Sequence, residues 1–125
     1  MNPIQNIRDA RERRRVIRIV SPLWDGRDIT NSGTDSCDDL TICPFGNILK
    51  QNGIDAVRAM VTPKPEGRDL GHVTRERQYG HEVLVLRVGV LDPLYPRRIL
   101  PKDRYFREVY RPQEGTELVL AHQQA

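Results

Sequence analysis

The longest apolar run of the chain occupies positions 81–91 and predicts a buried strand. Valines and leucines fill both faces of an extended chain over Glu82–Leu91, a pattern typical of the centre of a sheet. Gly89 interrupts the run and predicts a bulge or a close approach of another backbone segment. Because Pro93 has no N–H to give to a neighbouring strand, we expect the strand to end by Asp92, which starts a turn.

A short strand and an amphipathic helix are predicted to follow. Ile99 and Leu100 can form the strand, and the helix is expected to run from Pro101, a residue that suits the first helical position, to Tyr110. Its apolar side chains recur at helical spacing, and they are Tyr105, Phe106, Val109 and Tyr110. Pro112 ends the helix. We therefore expect the segment 81–112 to form most of the core.

The N-terminal pattern predicts a helical arm followed by a strand. Pro3 to about Arg15 has a narrow apolar stripe of helical period, and Val16–Val20 is rich in β-branched residues. Ser21-Pro22 is expected to end that strand. These features predict a basic helical arm over residues 1–15 and a single α+β domain over residues 16–125.

The middle of the chain alternates between polar stretches and short apolar elements. Asp28–Thr41 predicts a long loop, Pro44–Gln51 a short helix and Ile54–Val61 a strand. Thr62–Gly80 predicts a long exposed excursion, and Thr116–Leu120 a final edge strand. The fold class expected is α+β, with a small mixed or antiparallel sheet, two or three short helices and long polar loops.

Charge is distributed unevenly along the 125 residues, whose formal net charge is +3. Residues 1–20 hold six arginines against two acids, whereas residues 21–60 hold six aspartates against three basic residues. Such polarity suits docking between copies of the chain or onto a protein partner. A nucleic-acid-binding protein more often has a basic surface without an acidic block, although the arm leaves nucleic acid open as a partner.

These charges define the candidate interface. Trp24, beside a turn signal, is either a lid on the core or an interface anchor, since tryptophan is enriched at interfaces. The predicted interface residues are Arg11, Arg13, Arg14, Arg15, Trp24, Asp35, Asp38 and Asp39. We expect the arm of one copy to dock on the acidic loop of the next, giving a homo-oligomer or a particle.

Candidate metal ligands and nucleophiles do not form a known motif. Cys37 and Cys43 with His72 and His81 contain the residue types of a zinc site, but no Cys-x-x-Cys unit is present. The aspartates do not match a calcium loop. Two free thiols are expected, with a disulfide left open, and no metal or cofactor is predicted. Since no serine or cysteine has a neighbouring base in a recognisable pattern, the sequence predicts no enzyme.

One segment carries a family resemblance. Residues 80–112 combine a strand, a turn and a helix that contains Pro101, Lys102, Phe106, Tyr110 and Pro112. This arrangement resembles the C-terminal half of small phage-encoded domains of the PGDYG type. The glycine–aspartate opening of that group is absent, and Tyr79-Gly80-His81-Glu82 stands in its place. The group has no assigned chemistry, so the resemblance implies a phage origin and no mechanism.

Together these observations lead to a functional hypothesis. We expect a non-catalytic structural or docking protein of a phage-like particle, of the capsid-decoration or head–tail connector type. The alternative is a small phage-encoded inhibitor or nucleic-acid-associated protein that acts through the basic arm. No apolar stretch approaches the ~20 residues of a membrane span, and the charged N-terminus lacks the apolar region of a secretory signal. The expected location is the cytoplasm, or a virion assembled in the host cytoplasm.

Overall fold

The structure is a computed structural model that describes residues 2–25, 39–74 and 77–122. These residues form three helices and five strands: α1 (Pro3–Asp25), α2 (Asp39–Gln51), β1 (Ala56–Lys64), β2 (His81–Leu86), β3 (Gly89–Leu91), β4 (Ile99–Leu100), α3 (Lys102–Val109) and β5 (Glu117–His122). Among the helices so described, none is long and apolar enough to cross a membrane.

The five strands form one antiparallel sheet in the order β4-β3-β2-β1-β5. β1 pairs with β2 over Ala56–Val61 and with β5 over Ala59–Lys64, so the two neighbours overlap only in the middle of β1. This architecture confirms the predicted α+β class with an antiparallel sheet. It differs from the expectation of short helices only at α1, which has 23 residues.

Apolar side chains cover both faces of the sheet, because consecutive strand residues point to opposite sides. Helices α1 and α2 pack on one face, in a cluster that includes Val16, Val20, Trp24, Phe45, Leu49, Leu84 and Leu91. Helix α3 packs on the other face, in a cluster that includes Val61, Leu70, Val83, Val90, Tyr105 and Val109. The core is therefore wider than the predicted segment 81–112, because α1 and α2 supply much of one side.

The predicted strand Val16–Val20 is wrong, because these residues continue α1. Val16, Val20 and Trp24 are spaced by four residues and are all buried, so they form one stripe of a helix against the sheet. The hydroxyl of Ser21 donates to the carbonyl oxygen of Ile17 at 2.6 Å, one turn back. Packing of this stripe outweighs the local preference of β-branched residues for strands. The predicted boundary at residue 15 falls inside a continuous helix.

The predicted single strand Glu82–Leu91 is wrong as well, because the run folds back on itself. A two-residue turn at Arg87 and Val88 separates β2 from β3, and the two strands pair with each other. The close backbone approach predicted at Gly89 is confirmed. A Cβ built there would lie 2.4 Å from the carbonyl oxygen of Leu100, and φ is +153°, so only glycine fits between β3 and β4.

The excursion predicted for Thr62–Gly80 is only partly exposed. Its first residues extend β1 to Lys64, and Leu70 and His72 are buried. The backbone N–H of Arg111 donates to the carbonyl oxygen of Gly71 at 2.7 Å, which ties the excursion to the end of α3. An isolated antiparallel bridge then sets His72 beside Tyr110.

The remaining predicted elements are confirmed with shifted ends. The short helix expected at Pro44–Gln51 is part of α2, which begins at Asp39. The predicted loop Asp28–Thr41 therefore ends in helix, and residues 28–38 of it lie outside the described residues. The other matches are β1, β4, α3 and β5.

Candidate functional site

Five buried polar and aromatic side chains meet around one carboxylate between the sheet and α3. We call this set the Asp92 network; its members are His72, His81, Asp92, Tyr105 and Tyr110. Each is no more than 5% exposed. Because a buried charge is costly unless it is paired and hydrogen-bonded, the contacts of Asp92 determine what the network can do.

Both oxygens of Asp92 accept two hydrogen bonds. Oδ1 accepts from Nε2 of His81 at 2.6 Å and from the backbone N–H of Leu94 at 2.8 Å. Oδ2 accepts from Nε2 of His72 at 2.8 Å and from the hydroxyl of Tyr105 at 2.7 Å. Because Tyr105 donates its single proton to Asp92, Tyr110 donates to the Tyr105 oxygen, 2.6 Å away.

Four separate elements supply these side chains. His81 is the first residue of β2, and Asp92 directly follows the last residue of β3. Tyr105 lies on the buried stripe of α3, and the bridge between the excursion and the end of α3 places His72 opposite Tyr110. The network therefore forms only when β2, β3, α3 and the excursion are assembled.

The hydrogen bonds of His72 fix its tautomer. The backbone N–H of Thr74 donates to Nδ1 at 3.1 Å, so Nδ1 is an acceptor and the ring proton lies on Nε2. The Thr74 hydroxyl bonds the carbonyl oxygen of Leu94 at 2.7 Å and so ties this turn to the Asp92 segment. An ionised carboxylate only accepts, so Nε2 of His81 also donates.

Electrostatics keep Asp92 ionised. Burial on its own raises the pKa of Asp92, but the charge of His81 and the hydrogen bonds from both histidines outweigh burial, so the pKa lies well below its usual value. Burial and the neighbouring Asp92 charge raise the pKa of Tyr105 well above its usual value. Tyr105 therefore remains a protonated donor to an ionised acceptor.

Helix α2 runs along β1 on the face of the sheet opposite the Asp92 network. Its C-terminal end is joined to the start of β1, since the N–H of Ile54 donates to the carbonyl oxygen of Leu49 at 3.0 Å. The 13 residues of α2 span about 20 Å, and Ala56–Val61 span about 17 Å. Because Val61 pairs with His81, a helix that returns along β1 has its first turn at the same end of the strands as His81, but on the opposite face of the sheet.

Contacts of α1 support this direction of α2. Arg15, in the middle of α1, donates to the carbonyl oxygen of Asn52 just after α2, whereas Trp24, near its end, contacts the ring of Phe45 with centroids 5.5 Å apart. The two helices are therefore antiparallel. The end of α1 lies near the segment between β3 and β4, because Asp25 forms an ion pair with Arg97 of that segment.

A cysteine precedes that first turn in the sequence. Cys37 is two positions before Asp39, the first residue of α2, and it lies outside the described residues. The second cysteine, Cys43, is within α2 itself. The sequence analysis considered both cysteines together with His72 and His81 as zinc ligands; Cys37 and the side chain of Cys43 lie outside the described part of the chain.

Of the residues predicted for an interface, the structure describes the side chains of the four arginines and of Trp24. Arg11, Arg14 and Arg15 are exposed on α1, and Arg13 is half-buried and donates to the carbonyl oxygen of Val88 at 2.9 Å. Trp24 is 4% exposed, so its ring belongs to the core and offers no docking surface. The three acidic residues give no further position: Asp35 and Asp38 lie outside the described residues, and the side chain of Asp39 is likewise not described.

The network also contains a set of potential metal ligands that the sequence analysis did not combine. One ligand atom each from His72, His81 and Asp92 lies within 4.8 Å of the others, and two histidines with one carboxylate form a known metal-binding set. Here each Nε2 points at a carboxylate oxygen at hydrogen-bond distance, and both oxygens already have two donors. The geometry therefore fits a hydrogen-bonded network better than a metal centre.

Comparison with known proteins adds no assignment. No protein-family model, curated protein or solved structure matches the chain. The resemblance to PGDYG-type domains therefore stays a prediction.

Sequence reasoning missed the Asp92 network, although one signal was present: His72 and His81 each follow a glycine, and Asp92 directly follows the second half of the apolar run.

Proposed function

We propose that the protein is a thiol-dependent acyl-transfer enzyme in which Cys37 is the nucleophile, His81 the general base and Asp92 the residue that orients His81. The observation that carries the proposal is the bond between Nε2 of His81 and Oδ1 of Asp92, 2.6 Å long and buried. In the sequence, Cys37 stands two positions before Asp39, the first residue of α2. The sequence-based expectation of a non-catalytic protein stays a prediction and is the second candidate below.

The His81–Asp92 pair has the properties that a base in nucleophilic catalysis requires. A catalytic histidine needs one ring nitrogen held by an acceptor, so that the other can exchange a proton with the nucleophile. Asp92 holds Nε2 and remains ionised because of its lowered pKa. It therefore stabilises the imidazolium that forms at His81 when Nδ1 takes up a proton.

The position of Cys37 in the sequence suits an activated thiol. A cysteine at the start of a helix has a lowered pKa, because the N-terminal end of the helix dipole favours a negative charge. A nearby imidazolium has the same effect. Of the two cysteines, Cys37 is the better candidate, since Cys43 lies inside α2, away from the first turn.

The reaction proceeds through a thioester. Nδ1 of His81 takes the Cys37 proton, and the thiolate attacks the carbonyl carbon of an amide. The C–N bond breaks as the imidazolium gives its proton to the leaving nitrogen. His81 then removes a proton from water or from an acceptor amine, which attacks the thioester. The new acyl bond forms, the C–S bond breaks and the thiol regains its proton.

We expect Cys37 to react with iodoacetamide at pH values where an ordinary thiol does not. In a Cys43→Ser background, the alkylation rate should stay high down to pH about 6–7, below the usual thiol pKa of about 8.5. In the same background, His81→Gln removes the imidazolium. The pH at which the alkylation rate of Cys37 rises should then move towards about 8.5. The rate is measured by mass spectrometry across a pH series.

The matched control is Cys37→Ser with Cys43 retained, which reports the reactivity of the second thiol in the same fold. An alkylation profile of Cys37 near pH 8.5 that His81→Gln leaves unchanged would contradict the proposal. Stoichiometric zinc in the purified protein, with loss of folding on chelation, would also contradict it, because His72, His81 and Asp92 would then be metal ligands.

A second candidate function is the docking role expected from the sequence, as a structural subunit of a phage-like particle. The observation that favours it lies at the start of α1, where Ile4 and Ile7 are 61% and 57% exposed. They are three residues apart and so share one side of the helix. The occupant that fits this side is a neighbouring copy of the chain, since its polarised charge suits contact between copies.

For this second candidate we expect Ile4→Glu with Ile7→Glu to abolish self-association while the fold is unchanged by circular dichroism. The native mass in solution is measured by light scattering. Val57→Glu is the matched control, because Val57 is also an exposed apolar residue, on β1. A monomeric wild-type protein, or equal masses for all variants, would exclude the docking role of α1.

A further inference from the structure

Five arginines converge on one cleft between α1, β4 and α3, away from the Asp92 network. We call it the arginine cleft; its basic residues are Arg13, Arg14, Arg97, Arg98 and Arg104. The cleft has a volume of about 220 Å³, and the rest of its wall is apolar, formed by Ala10, Ile17, Ile99 and Leu100. Like charges that gather in one cleft repel each other, and an anionic ligand would relieve that repulsion.

Carboxylates partner some of these arginines but do not line the cleft. Arg97 pairs with Asp25, and Arg104 pairs with Glu108 at 2.6 Å. Arg98 is more distant from Glu108, at 3.9 Å. Exposed pairs of this kind contribute little and leave the side chains able to change partner. The guanidinium groups can therefore turn towards a ligand in the cleft.

The backbone also indicates a special position beside the cleft. Arg97 has φ of +65°, a left-handed conformation that residues other than glycine adopt at an energetic cost. Strained conformations cluster at functional sites, where the surrounding structure holds them, although Arg77, away from the cleft, has a similar φ of +57°. Arg97 and Arg98 directly precede β4, whose two residues are buried, so the sheet anchors both arginines at the cleft.

A larger cleft continues the basic surface. Its volume is about 720 Å³, and it shares Arg13 and Arg104 with the arginine cleft. It adds three cations, Arg87, Lys102 and Arg107, and two acids, Asp9 and Asp103. The basic surface is therefore longer than a single anion requires, and it suits a ligand with regularly spaced negative charges.

We propose that the arginine cleft binds the phosphodiester backbone of a nucleic acid. Guanidinium groups match phosphate oxygens through paired N–H donors, and all five basic residues of the cleft are arginines. A membrane surface is the less suitable partner, because apolar side chains that insert into lipid strengthen peripheral membrane binding. The apolar residues of this wall are instead recessed: Ile99 and Leu100 are each 4% exposed.

The cleft divides the arginines that the sequence grouped into one arm. Arg13 and Arg14 face the cleft, whereas Arg11 and Arg15 lie with Arg8, Glu12 and Arg18 on another side of α1. Only the first pair is combined with arginines from other elements. The binding surface we propose is therefore tertiary, formed by three elements, and is independent of the proposed thiol chemistry.

The test is the salt dependence of binding to a fluorescent oligonucleotide, measured by anisotropy with the full chain. For the wild type, log K should fall linearly with the logarithm of salt concentration. Arg14→Ala with Arg98→Ala should weaken binding and reduce the slope by about 1.4–1.8, at ~0.7 per phosphate contact for single strands and ~0.9 for duplex DNA. Circular dichroism checks that the fold is unchanged.

Arg11→Ala with Arg18→Ala is the matched control, since it removes the same charge from two exposed positions of α1 outside the cleft. This variant should keep the wild-type slope. Equal losses for the two double variants would overturn the proposal, because binding would then follow net charge alone. Absence of wild-type binding at low salt, or equal binding to anionic lipid vesicles with competition by them, would overturn it as well.

Discussion

Asp92→Ala is expected to lower the free energy of unfolding by about 3–5 kcal/mol, the usual cost when one partner of a buried charged network is removed. The change takes the acceptor away from four donors, which belong to His72, His81, Leu94 and Tyr105. None of them can turn to water, because the surrounding side chains are buried. Since whole domains are stable by only about 5–15 kcal/mol, the variant should unfold at a much lower urea concentration.

Asp103→Ala is the matched control for this prediction. Asp103 is an exposed aspartate in the first turn of α3, so its loss should change stability by no more than about 0.5 kcal/mol. Similar urea midpoints for Asp92→Ala and the wild type would show that the network does not hold the fold together.

The acid dependence of stability follows from the same residue. The folded-state pKa of Asp92 lies below its usual value of 3.8, so the folded state favours the ionised form. Its contribution is present above the unfolded pKa and is lost as pH falls below about 4. Asp92→Asn should therefore lower stability at neutral pH and reduce the further loss between neutral and acidic pH.

Gly71→Ala is the second substitution with a large expected effect. A Cβ at Gly71 would lie 2.2 Å from the carbonyl oxygen of Arg111, and φ of +71° is itself unfavourable for alanine. The backbone of the excursion would have to move away from the end of α3. That movement breaks the hydrogen bond from Arg111 to Gly71 and separates His72 from Tyr110. We expect a loss of several kcal/mol, measured by urea unfolding.

Gly67→Ala separates the two causes of that loss. Gly67 has a similar φ of +84°, but no atom lies within 4 Å of its added Cβ. Gly67→Ala should therefore lower the free energy of unfolding only by the cost of the left-handed backbone conformation, about 1–2 kcal/mol. If both variants lose the same stability, the contact between Gly71 and Arg111 has no structural importance.

The sequence predicted best those elements whose boundaries are encoded locally. Helix α3 follows Pro101 and carries a stripe of helical period, as predicted. Gly53, two residues after α2, has φ of +73°, a conformation that commonly ends helices. Two elements were misassigned because tertiary packing decides them. Val16–Val20 has the composition of a strand but packs as a helix, and Arg87-Val88 is a turn without any residue that favours turns.

The site was beyond the reach of local patterns for a different reason. His72 lies in a segment rich in glycine, proline and charge, and nothing in that pattern indicates that it returns to the core. Its place depends on a bridge to Tyr110, 38 positions later. Asp92 was interpreted only as the start of a turn, although the same residue accepts four hydrogen bonds from side chains and backbone in the folded chain.

The staggered pairing of β1 has a mechanical consequence. Residues 56–58 of β1 pair only with β2, residues 62–64 pair only with β5, and Ala59, Met60 and Val61 pair with both. β1 thus belongs to two ladders, which overlap over three of its residues. If β5 separates from the sheet, only its hydrogen bonds with β1 break. The pairings of β2 with β1 and β3, which position His81 and Asp92, can then remain in place.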